Sequence, residues 1–314
     1  MSALEELMSK QSVMEAANGT KVAGYVYVRT YSELPTKNGS MYFAGKLEMV
    51  GAVDFKVWAG NTFNKMKETN MANKICHINA EVNEYNGTKS LIINDIQEYT
   101  EDELLPEMFF EQKYNPEELW SSLNKILAGN CSPEGIAVFN LVIEPYKERF
   151  MKEYAAISHH DACMSGLLAH SRKVVFIAQI IKSYPNIFKS IDRDLLYVSA
   201  ALHDIGKTQE YTNGSISEAG KKMSHLTLGL EMIRPFHDQI VELKGEDFYE
   251  FLQSVIQQHH GEYGERPRTL AAYIIHIIDM LESQLTDIDE VIGSATSDQV
   301  KIEGCILSFY KSEE

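Results

Sequence analysis

Hydrophobic and polar positions alternate along the first third of the chain. After Gly19, apolar residues alternate with amphipathic ones up to Arg29, and two further runs show the same period of two. This period predicts β-strands, because successive side chains of a strand point to opposite faces. The Asn86-Gly87 dipeptide predicts a tight hairpin turn between two later strands. The predicted strands lie at 22–29, 41–48, 53–58, 75–85 and 88–99.

Helical patterns interrupt and precede these strands. Residues 61–71 are polar and helical and lie between the third and fourth predicted strands, and a short helix is predicted within residues 1–18. Three strands, a helix and two strands is the element order of an OB-fold, a five-stranded barrel. We therefore predict an N-terminal OB-fold domain at residues 1–100.

The pattern changes beyond the predicted barrel. Residues 101–118 are largely acidic and irregular and are predicted to form a linker. Towards its end, Asn115 and Pro116 have the residue types of a helix N-cap and a first helical position. From residue 119 onward, apolar residues recur at helical spacing and nothing alternates like a strand. The fold class predicted is a β-barrel followed by an all-α helical bundle at residues 119–314.

The charge of the chain is unevenly distributed. The 314 residues have a formal net charge of −16, which argues against a polyanionic partner because phosphate binding normally leaves a basic surface. Residues 20–95, however, contain nine basic and seven acidic residues, so this segment is +2 and the remainder −18. The barrel can therefore face nucleic acid, whereas the acidic remainder suits a metal-binding domain.

Strand parity predicts a binding face on the barrel. If the valines and other apolar residues point inward, rings and cations occupy the outward positions of the first three strands. This combination suits single-stranded nucleic acid, since bases stack on rings while Lys and Arg follow the phosphates. The alternative is that these are ordinary strand residues covered by the second domain. The predicted nucleic-acid-binding residues are Tyr25, Tyr27, Arg29, Tyr42, Lys46, Lys56 and Trp58.

Several other classes of protein are disfavoured. The first eight residues are acidic where a secretory signal is basic, and no apolar run approaches the roughly 20 residues that cross a bilayer. We expect a soluble, cytoplasmic protein without a membrane partner. The four cysteines lie far apart with no CxxC pair, so buried thiols are expected rather than a zinc ribbon or redox motif.

Histidines are concentrated in the predicted helical domain. Nine of the ten lie between His159 and His276. His203 and Asp204 end an apolar helical run, and Asp279 lies in another, where an ionised carboxylate costs several kcal/mol unless a cation compensates it. Imidazole and carboxylate ligands together suit Mn, Fe, Co, Ni or Zn. We therefore predict a metal site, with His276 as a packing neighbour of Asp279; the alternative is a buried pair of these two side chains.

The order of these residues resembles a known superfamily, the HD-domain metal-dependent phosphohydrolases, over about residues 155–285. With a barrel ahead of the helical domain and His159-His160 ahead of the series, the chain is similar to the bacterial YhaM-type 3′-5′ exoribonucleases within that superfamily. The residues on which this resemblance rests are His170, His203-Asp204, His225, His259-His260 and Asp279.

The resemblance implies a metal centre of one or two divalent ions, with manganese favoured over cobalt, iron, nickel, zinc or magnesium. The implied ligands of the first ion are His170, His203, Asp204 and Asp279. Asp204 would bridge to a second ion held by His225 and by His259, His260 or both.

Two further side chains are expected to act beside Asp204 in catalysis. Lys207 follows the His-Asp pair at the helix end and is expected to hold a phosphate oxygen; the alternative is a solvated lysine or a partner for a local carbonyl. His160 is expected to contact the substrate phosphate or to protonate the leaving group. A divalent ion would lower the pKa of bound water from 15.7 to about 7 and so provide hydroxide at neutral pH.

These expectations favour a metal-dependent 3′-5′ exoribonuclease whose barrel grips single-stranded RNA, or DNA, while the helical domain releases 5′-nucleotides. Two alternatives stay open. One is a small-nucleotide phosphohydrolase or phosphodiesterase of the HD type with a regulatory barrel, and the other is a non-catalytic nucleic-acid-binding protein. The sequence is also compatible with a homo-oligomer.

Overall fold

The structure is a computed structural model that describes residues 3–157, 161–293, 295, 297–302 and 305–308. The chain forms two compact units, Met1–Gln112 and Lys113–Glu314, and each unit has its own hydrophobic core. Within the described ranges, no helix is both long enough and apolar enough to cross a membrane.

The first unit is a closed barrel with the strand order β1-β2-β3-β5-β4. β3 and β5 pair in parallel, and the other neighbouring strands pair antiparallel. This strand order, with a helix between the third and fourth strands, confirms the predicted OB-fold. The elements are α1 (Lys10–Glu15), β1 (Lys21–Pro35), β2 (Met41–Glu48), β3 (Ala52–Val57), α2 (Asn61–Glu68), β4 (Lys74–Tyr85) and β5 (Thr88–Glu98).

The N-terminal segment contains two short helical turns where the sequence predicts one helix. A 3-10 helix at Ala3–Glu6 is separated from α1 by a β-bridge that pairs Leu7 with Tyr25. The hydrogen bond from the Met8 amide to the Tyr25 carbonyl occupies backbone groups that a continuous helix would use internally. The N-terminal segment is therefore attached to the first strand of the barrel.

A short segment after the last strand packs on the barrel. It contains a 3-10 helix at Pro106–Phe109, and Leu104, Phe109 and Phe110 are buried. The Val50 amide donates a hydrogen bond of 2.6 Å to the Phe109 carbonyl. This segment lies inside the predicted linker, and the division between the two compact units comes after Gln112.

The second unit is mainly helical. Its helices are α3 (Pro116–Ala128), α4 (Pro133–Ile143), α5 (Lys147–Lys152), α6 (Gly166–Ala178), α7 (Pro185–Lys189), α8 (Arg193–Leu202), α9 (Lys207–Glu210), α10 (His225–Ile233), α11 (His237–Lys244), α12 (Glu246–Gln258) and α13 (Leu270–Gly293). Further 3-10 turns lie at Glu144–Tyr146, Gln179–Ser183, Arg234–Phe236 and Gly261–Tyr263.

Two small hairpins correct the prediction that this unit contains no strands. They consist of β6 (Tyr211–Thr212) with β7 (Ser215–Ile216), and β8 (Gln299–Ile302) with β9 (Cys305–Ser308). In the first hairpin, Asn213 and Gly214 both have positive φ, at 50° and 67°. Asn-Gly is the usual dipeptide for a turn of this kind, but strands of two residues are too short to show an alternating pattern.

Two local predictions in the helical unit are met by the structure. The Asn115 side chain accepts hydrogen bonds from the amides of Glu117 and Glu118, so α3 begins at the predicted N-cap. Every residue of α8 from Asp194 to Leu202 is buried, as its apolar sequence indicates. α8 therefore ends deep in the core and delivers the residues that follow it, His203 and Asp204, to the interior.

Candidate metal centre

Side chains that are far apart in sequence converge in the core of the helical unit. α6 supplies one histidine, the end of α8 a histidine and an aspartate, the start of α10 one histidine, the residues after α12 two histidines, and α13 an aspartate. These are all seven of the predicted metal ligands: His170, His203, Asp204, His225, His259, His260 and Asp279.

We call the first set of four side chains the first ligand group; it consists of His170, His203, Asp204 and Asp279. His170 Nε2 lies 3.1 Å from Asp279 Oδ1, 3.2 Å from His203 Nε2 and 3.5 Å from Asp204 Oδ2. His203 Nε2 lies 3.4 Å from Asp204 Oδ2 and 3.8 Å from Asp279 Oδ1. Metal–ligand bonds of about 2.0–2.2 Å hold neighbouring ligand atoms roughly 2.8–3.6 Å apart at right or tetrahedral angles. The four atoms therefore lie close enough together to serve as ligands of one ion.

The second ligand group consists of Asp204, His225, His259 and His260. Asp204 Oδ1 lies 3.4 Å from His259 Nε2 and 3.6 Å from His225 Nε2, and His225 Nε2 lies 2.9 Å from His260 Nε2. The structure thus brings both His259 and His260 to this group. Asp204 directs Oδ2 at the first group and Oδ1 at the second, which is the geometry of a bridging carboxylate.

Hydrogen bonds at Nδ1 orient four of the five imidazoles. His203 Nδ1 lies 3.0 Å from the Ala200 carbonyl, and His259 Nδ1 lies 3.1 Å from the Ile256 carbonyl. Because a carbonyl oxygen only accepts, each Nδ1 bears a hydrogen, and each Nε2 is the ring nitrogen that faces the centre. His170 and His225 are oriented in the same way by the carboxylates of Glu282 and Glu210.

Two buried polar atoms test whether a cation fits this site. Asp204 Oδ1 and His259 Nε2 have no hydrogen-bond partner among the described residues, although they lie 3.4 Å apart. A carboxylate oxygen and an imidazole lone pair are both acceptors, so they cannot bond to each other. A cation between them would compensate both atoms. The donor set therefore fits a divalent transition metal.

The electrostatics of the ligands favour the same conclusion. Burial alone would raise the pKa of Asp204, but Lys207 and His203 outweigh burial and hold that pKa well below its usual value. Burial would lower the pKa of His170, yet hydrogen bonds with Asp279 and Glu282 raise it to about 10. Asp204 is thus ionised, and the proton on His170 supplies a positive charge beside it. In the second ligand group, burial lowers the pKa of His259 and His260, so these rings stay neutral. Metal binding must displace protons from this site.

Lys207 lies beside the first ligand group, at the start of α9. Its Nζ is 2.6 Å from Asp204 Oδ2 and the residue is 9% exposed, so it is not a solvated surface lysine. Its observed partner is a carboxylate rather than a backbone carbonyl. The interaction with Asp204 raises the pKa of Lys207 despite burial, which keeps a positive charge at the centre.

Two histidines that the sequence analysis singled out are not among the predicted ligands. His276 lies outside both ligand groups, and its Nδ1 donates a hydrogen bond of 2.7 Å to the His259 carbonyl, so it braces the backbone of a ligand. His160, the third predicted catalytic residue, falls outside the described residues, as does His159.

Sequence reasoning missed the two glutamates that contact the ligands. Glu282 binds His170 and lies three residues after Asp279, on the same face of α13. Glu210 binds His225 and ends α9. The Asp279-to-Glu282 spacing was the available signal, because side chains three apart on a helix are neighbours. Glu210 had no such signal, since its histidine lies on another element.

Gly206 lies where the backbone that follows Asp204 approaches the start of α10, the helix that carries His225. It follows Asp204 by two residues and packs against the main chain of α10, where a Cβ atom would collide with the His225 carbonyl oxygen. The absence of a side chain at residue 206 therefore allows His225 to approach Asp204.

Two of the seven residues predicted on the outer barrel face are buried, so the prediction that they are exposed is wrong. Tyr27 is 1% exposed and Arg29 3% exposed. The Tyr27 ring lies 5.1 Å from that of Phe110, in the segment that packs on the barrel after the last strand, and Arg29 pairs with Glu48 at 3.1 Å. The alternation of side chains along the strand predicted the face on which these two residues lie. It did not predict that other parts of the chain would bury them on that face.

Four of the other five residues share one face of the paired strands β2 and β3, by the register of these strands: Tyr42, Lys46, Lys56 and Trp58. The rings of Tyr42 and Trp58 lie 5.0 Å apart, and Lys56 Nζ lies 5.9 Å from the Trp58 ring. We call these three residues the aromatic pair with its lysine. Lys46 is paired with Asp54 at 3.0 Å. Tyr25 pairs with β4 rather than β2 and packs edge-on against His77, so it lies away from the aromatic pair.

Comparison with known proteins finds similarity to one family and to several curated relatives. Residues 167–284 match the HD domain family. The 3′-5′ exoribonuclease YhaM of Listeria monocytogenes is 27% identical over 289 residues, which cover 87% of this chain and 88% of the relative. The enzyme of the same name from Shouchella clausii is 26% identical over 286 residues, or 87% of each chain.

Solved structures similar to part of the chain include the mitochondrial single-stranded DNA-binding protein Rim1 of S. cerevisiae. It is 16% identical over 28% of this chain and 100% of its own, with a TM-score of 0.25. The replication protein A heterotrimer bound to single-stranded DNA is 12% identical over 28% of this chain and 63% of its own, with a TM-score of 0.22. From the family match, the two ligand groups and the curated relatives together, the chain is a metal-dependent hydrolase with an HD domain that follows an OB-fold barrel.

Proposed function

We propose that this hydrolase is a 3′-5′ exoribonuclease that cleaves the phosphodiester bonds of single-stranded RNA and releases 5′-nucleotides. The observation that carries the proposal is the pair of ligand groups bridged by Asp204, in a chain whose exoribonuclease relatives match 87% of its length. That match extends over both units, so it supports a function that uses the barrel as well as the HD domain.

The chemistry requires a nucleophile at neutral pH. A divalent ion held by these residues would supply it, because such an ion lowers the pKa of bound water to about 7. The mixed imidazole and carboxylate ligands suit a first-row transition metal, and we propose manganese. His170, His203, Asp204 and Asp279 would hold one ion, and Asp204, His225, His259 and His260 a second.

Lys207 is proposed to contact the substrate. Its ammonium lies at the first ligand group and keeps its proton, so it can donate a hydrogen bond to a non-bridging phosphate oxygen. In the absence of substrate, Asp204 Oδ2 occupies this donor at 2.6 Å. We also propose that His160 contacts the phosphate or protonates the leaving oxygen, by its place in the sequence ahead of His170.

The aromatic pair with its lysine is proposed to hold the strand upstream of the cleaved bond. Trp58 is 45% exposed, so a face of its ring can stack on a base, and Lys56 beside it can contact phosphate. Tyr25 and Lys46 remain proposed contacts of lesser weight, because Lys46 already pairs with Asp54. Tyr27 and Arg29 are not proposed, because both are buried.

The test is a product assay with Mn²⁺ and three substrates: 5′-labelled single-stranded RNA, the same sequence as DNA, and a panel of mononucleotides. We expect RNA to shorten from its 3′ end in steps of one nucleotide, with mononucleotide products that have a 5′-phosphate. RNA with a blocked 3′ end is the control and should persist. Hydrolysis of the mononucleotides alone would indicate a small-nucleotide phosphohydrolase, and no hydrolysis of any substrate would indicate a non-catalytic binding protein.

A further inference from the structure

The two ligand groups are built on a common plan. In each group one histidine is oriented by a backbone carbonyl: His203 by Ala200, and His259 by Ile256. In each group one other histidine is oriented by a carboxylate. His170 Nδ1 lies 2.5 Å from Glu282 Oε2, and His225 Nδ1 lies 2.8 Å from Glu210 Oε2.

The carboxylate contacts differ in kind from the carbonyl contacts. A carbonyl within a helix is a neutral acceptor that the helix already positions. A carboxylate is charged, so its hydrogen bond with Nδ1–H makes Nε2 a more basic ligand as well as fixing the ring. Each group therefore contains one imidazole whose strength as a ligand depends on a side chain outside the group.

We propose that Glu282 and Glu210 are positioning residues that set the affinities of the two metal ions separately, Glu282 through His170 and Glu210 through His225. This inference rests on the proposed binding of two ions and goes beyond it, because it assigns each ion its own control residue. Neither glutamate belongs to the two ligand groups. Glu282 also lies with Asp161 and His170 in a further cluster of possible metal ligands, but there the Lys173 ammonium lies between the two carboxylates.

Glu282 is held in place by its own partners. It is 1% exposed, and its Oε1 accepts a hydrogen bond of 2.6 Å from the Thr286 hydroxyl. Lys173 Nζ lies 3.2 Å from the same oxygen and 2.8 Å from Asp161 Oδ2. The ammonium compensates two buried carboxylates, so Oε2 of Glu282 is left to face His170 in a fixed position.

Glu210 combines two contacts to a single residue. Its Oε2 binds His225 Nδ1, and its Oε1 accepts a hydrogen bond of 3.1 Å from the His225 backbone amide. That amide is one of the first donors of α10, which the helix itself leaves unpaired. Glu210 thus fixes both the ring of His225 and the start of the helix that carries it.

The test is a titration of Mn²⁺ alone into the metal-free full chain, by calorimetry and by electron paramagnetic resonance of free Mn²⁺. The parent is expected to bind two ions. Glu282→Ala should weaken one binding step about 10–100-fold and leave the other unchanged, and Glu210→Ala should weaken the other step to a similar extent. Glu290→Ala is the control, since it removes an exposed carboxylate from the same helix as Glu282.

A background variant identifies which step belongs to which group. Asp279→Ala removes a ligand of the first group only, so one strong step should remain. Adding Glu210→Ala should weaken that remaining step, whereas adding Glu282→Ala should leave it unchanged. Reversal of this pattern, or equal weakening of both steps by either glutamate variant, overturns the proposal, as does a parent chain that binds fewer than two ions.

Glutamine variants separate positioning from folding. Glu282→Gln and Glu210→Gln keep a carbonyl oxygen that accepts from Nδ1–H but lose the charge, so we expect part of the lost affinity to return. Far-ultraviolet circular dichroism should show an unchanged helical content, and saturating Mn²⁺ should restore kcat. No return of affinity in folded glutamine variants would overturn the role of ring orientation. Since the titration contains no RNA, its result is independent of whether RNA is the substrate.

Discussion

The helical unit and the barrel keep their proposed functional side chains in opposite environments. Asp204 is 1% exposed, whereas Trp58 is 45% exposed. A charged group in a core costs several kcal/mol unless something compensates it, so its presence in an apolar stretch indicates a partner. An exposed ring on a strand costs little and indicates nothing by itself. The predicted ligands therefore converge as a complete set, and the predicted barrel face does so only in part.

The largest expected effect separates chemistry from binding. Asp204→Ala removes the only side chain that belongs to both ligand groups of the described chain, so hydrolysis of RNA should fall to background. Binding of a long single strand should stay within about twofold if the barrel supplies the affinity, since the stacking surface is unchanged. The measurements are turnover of labelled RNA and fluorescence anisotropy with the same oligonucleotide.

The matched control for this variant is Asp238→Ala, which removes an exposed aspartate whose partner is His237, outside the ligand groups. Its turnover should equal that of the parent. Undiminished Mn-dependent hydrolysis by Asp204→Ala would remove the contrast between the two units, because the chemistry would then lie elsewhere.

The next effect concerns stability behind the metal centre. Lys173→Met should destabilise the chain by about 3 kcal/mol, because Asp161 and Glu282 would lose the ammonium that compensates them in the core. Lys152→Met removes the exposed pair with Glu148 and should cost less than about 0.5 kcal/mol. Urea unfolding of both variants without added metal measures the difference. Equal losses of stability in the two variants would mean that burial does not determine how much each lysine contributes to stability.

A smaller effect is expected on the barrel. Trp58→Ala should cost about 1–3 kcal/mol in affinity for a long single strand, while hydrolysis of a dinucleotide should barely change. Tyr85→Ala is the control, since Tyr85 is an exposed ring at the tip of the β4–β5 hairpin, away from the aromatic pair. The ratio of long-RNA to dinucleotide turnover, at fixed salt, is the measurement. An unchanged ratio would reject the aromatic pair as a binding surface.

The smallest effect is a pH dependence within the helical unit. Burial alone would raise the pKa of Asp194, but hydrogen bonds from Lys244 and Ser132 outweigh it and lower that pKa. The folded state thus binds this proton less tightly than the unfolded chain, so the stabilisation is complete above the unfolded pKa of about 3.9 and is lost as pH falls through the folded pKa. Asp194→Asn should reduce the decrease in the free energy of unfolding as pH falls. Urea denaturation midpoints measured at a series of pH values from neutral to acidic would show this change. Asp247→Asn changes an exposed residue and should leave the pH dependence of the urea midpoint the same as in the parent.

Sequence patterns were sufficient where one local rule decides the structure. The period of two and the Asn86-Gly87 turn predicted the barrel strands, and the apolar run before His203 predicted a buried helix. Contacts between distant elements were out of reach. The burial of Tyr27 depends on Phe110, more than 80 positions away in the sequence. The pairing of His170 with Glu282 likewise joins two helices whose packing no periodicity encodes.

Gly206 has a consequence for how this chain can vary. The residue offers no ligand atom, yet it packs against the backbone of His225. The distance between Asp204 and the start of α10 therefore depends on residue 206 having a hydrogen where every other amino acid has a Cβ atom. A library of all substitutions at this position would therefore be as intolerant as one at a metal ligand, although the residue has no chemistry to lose. Intolerance to mutation at residue 206 would report the spacing between the two ligand groups rather than the loss of a catalytic group.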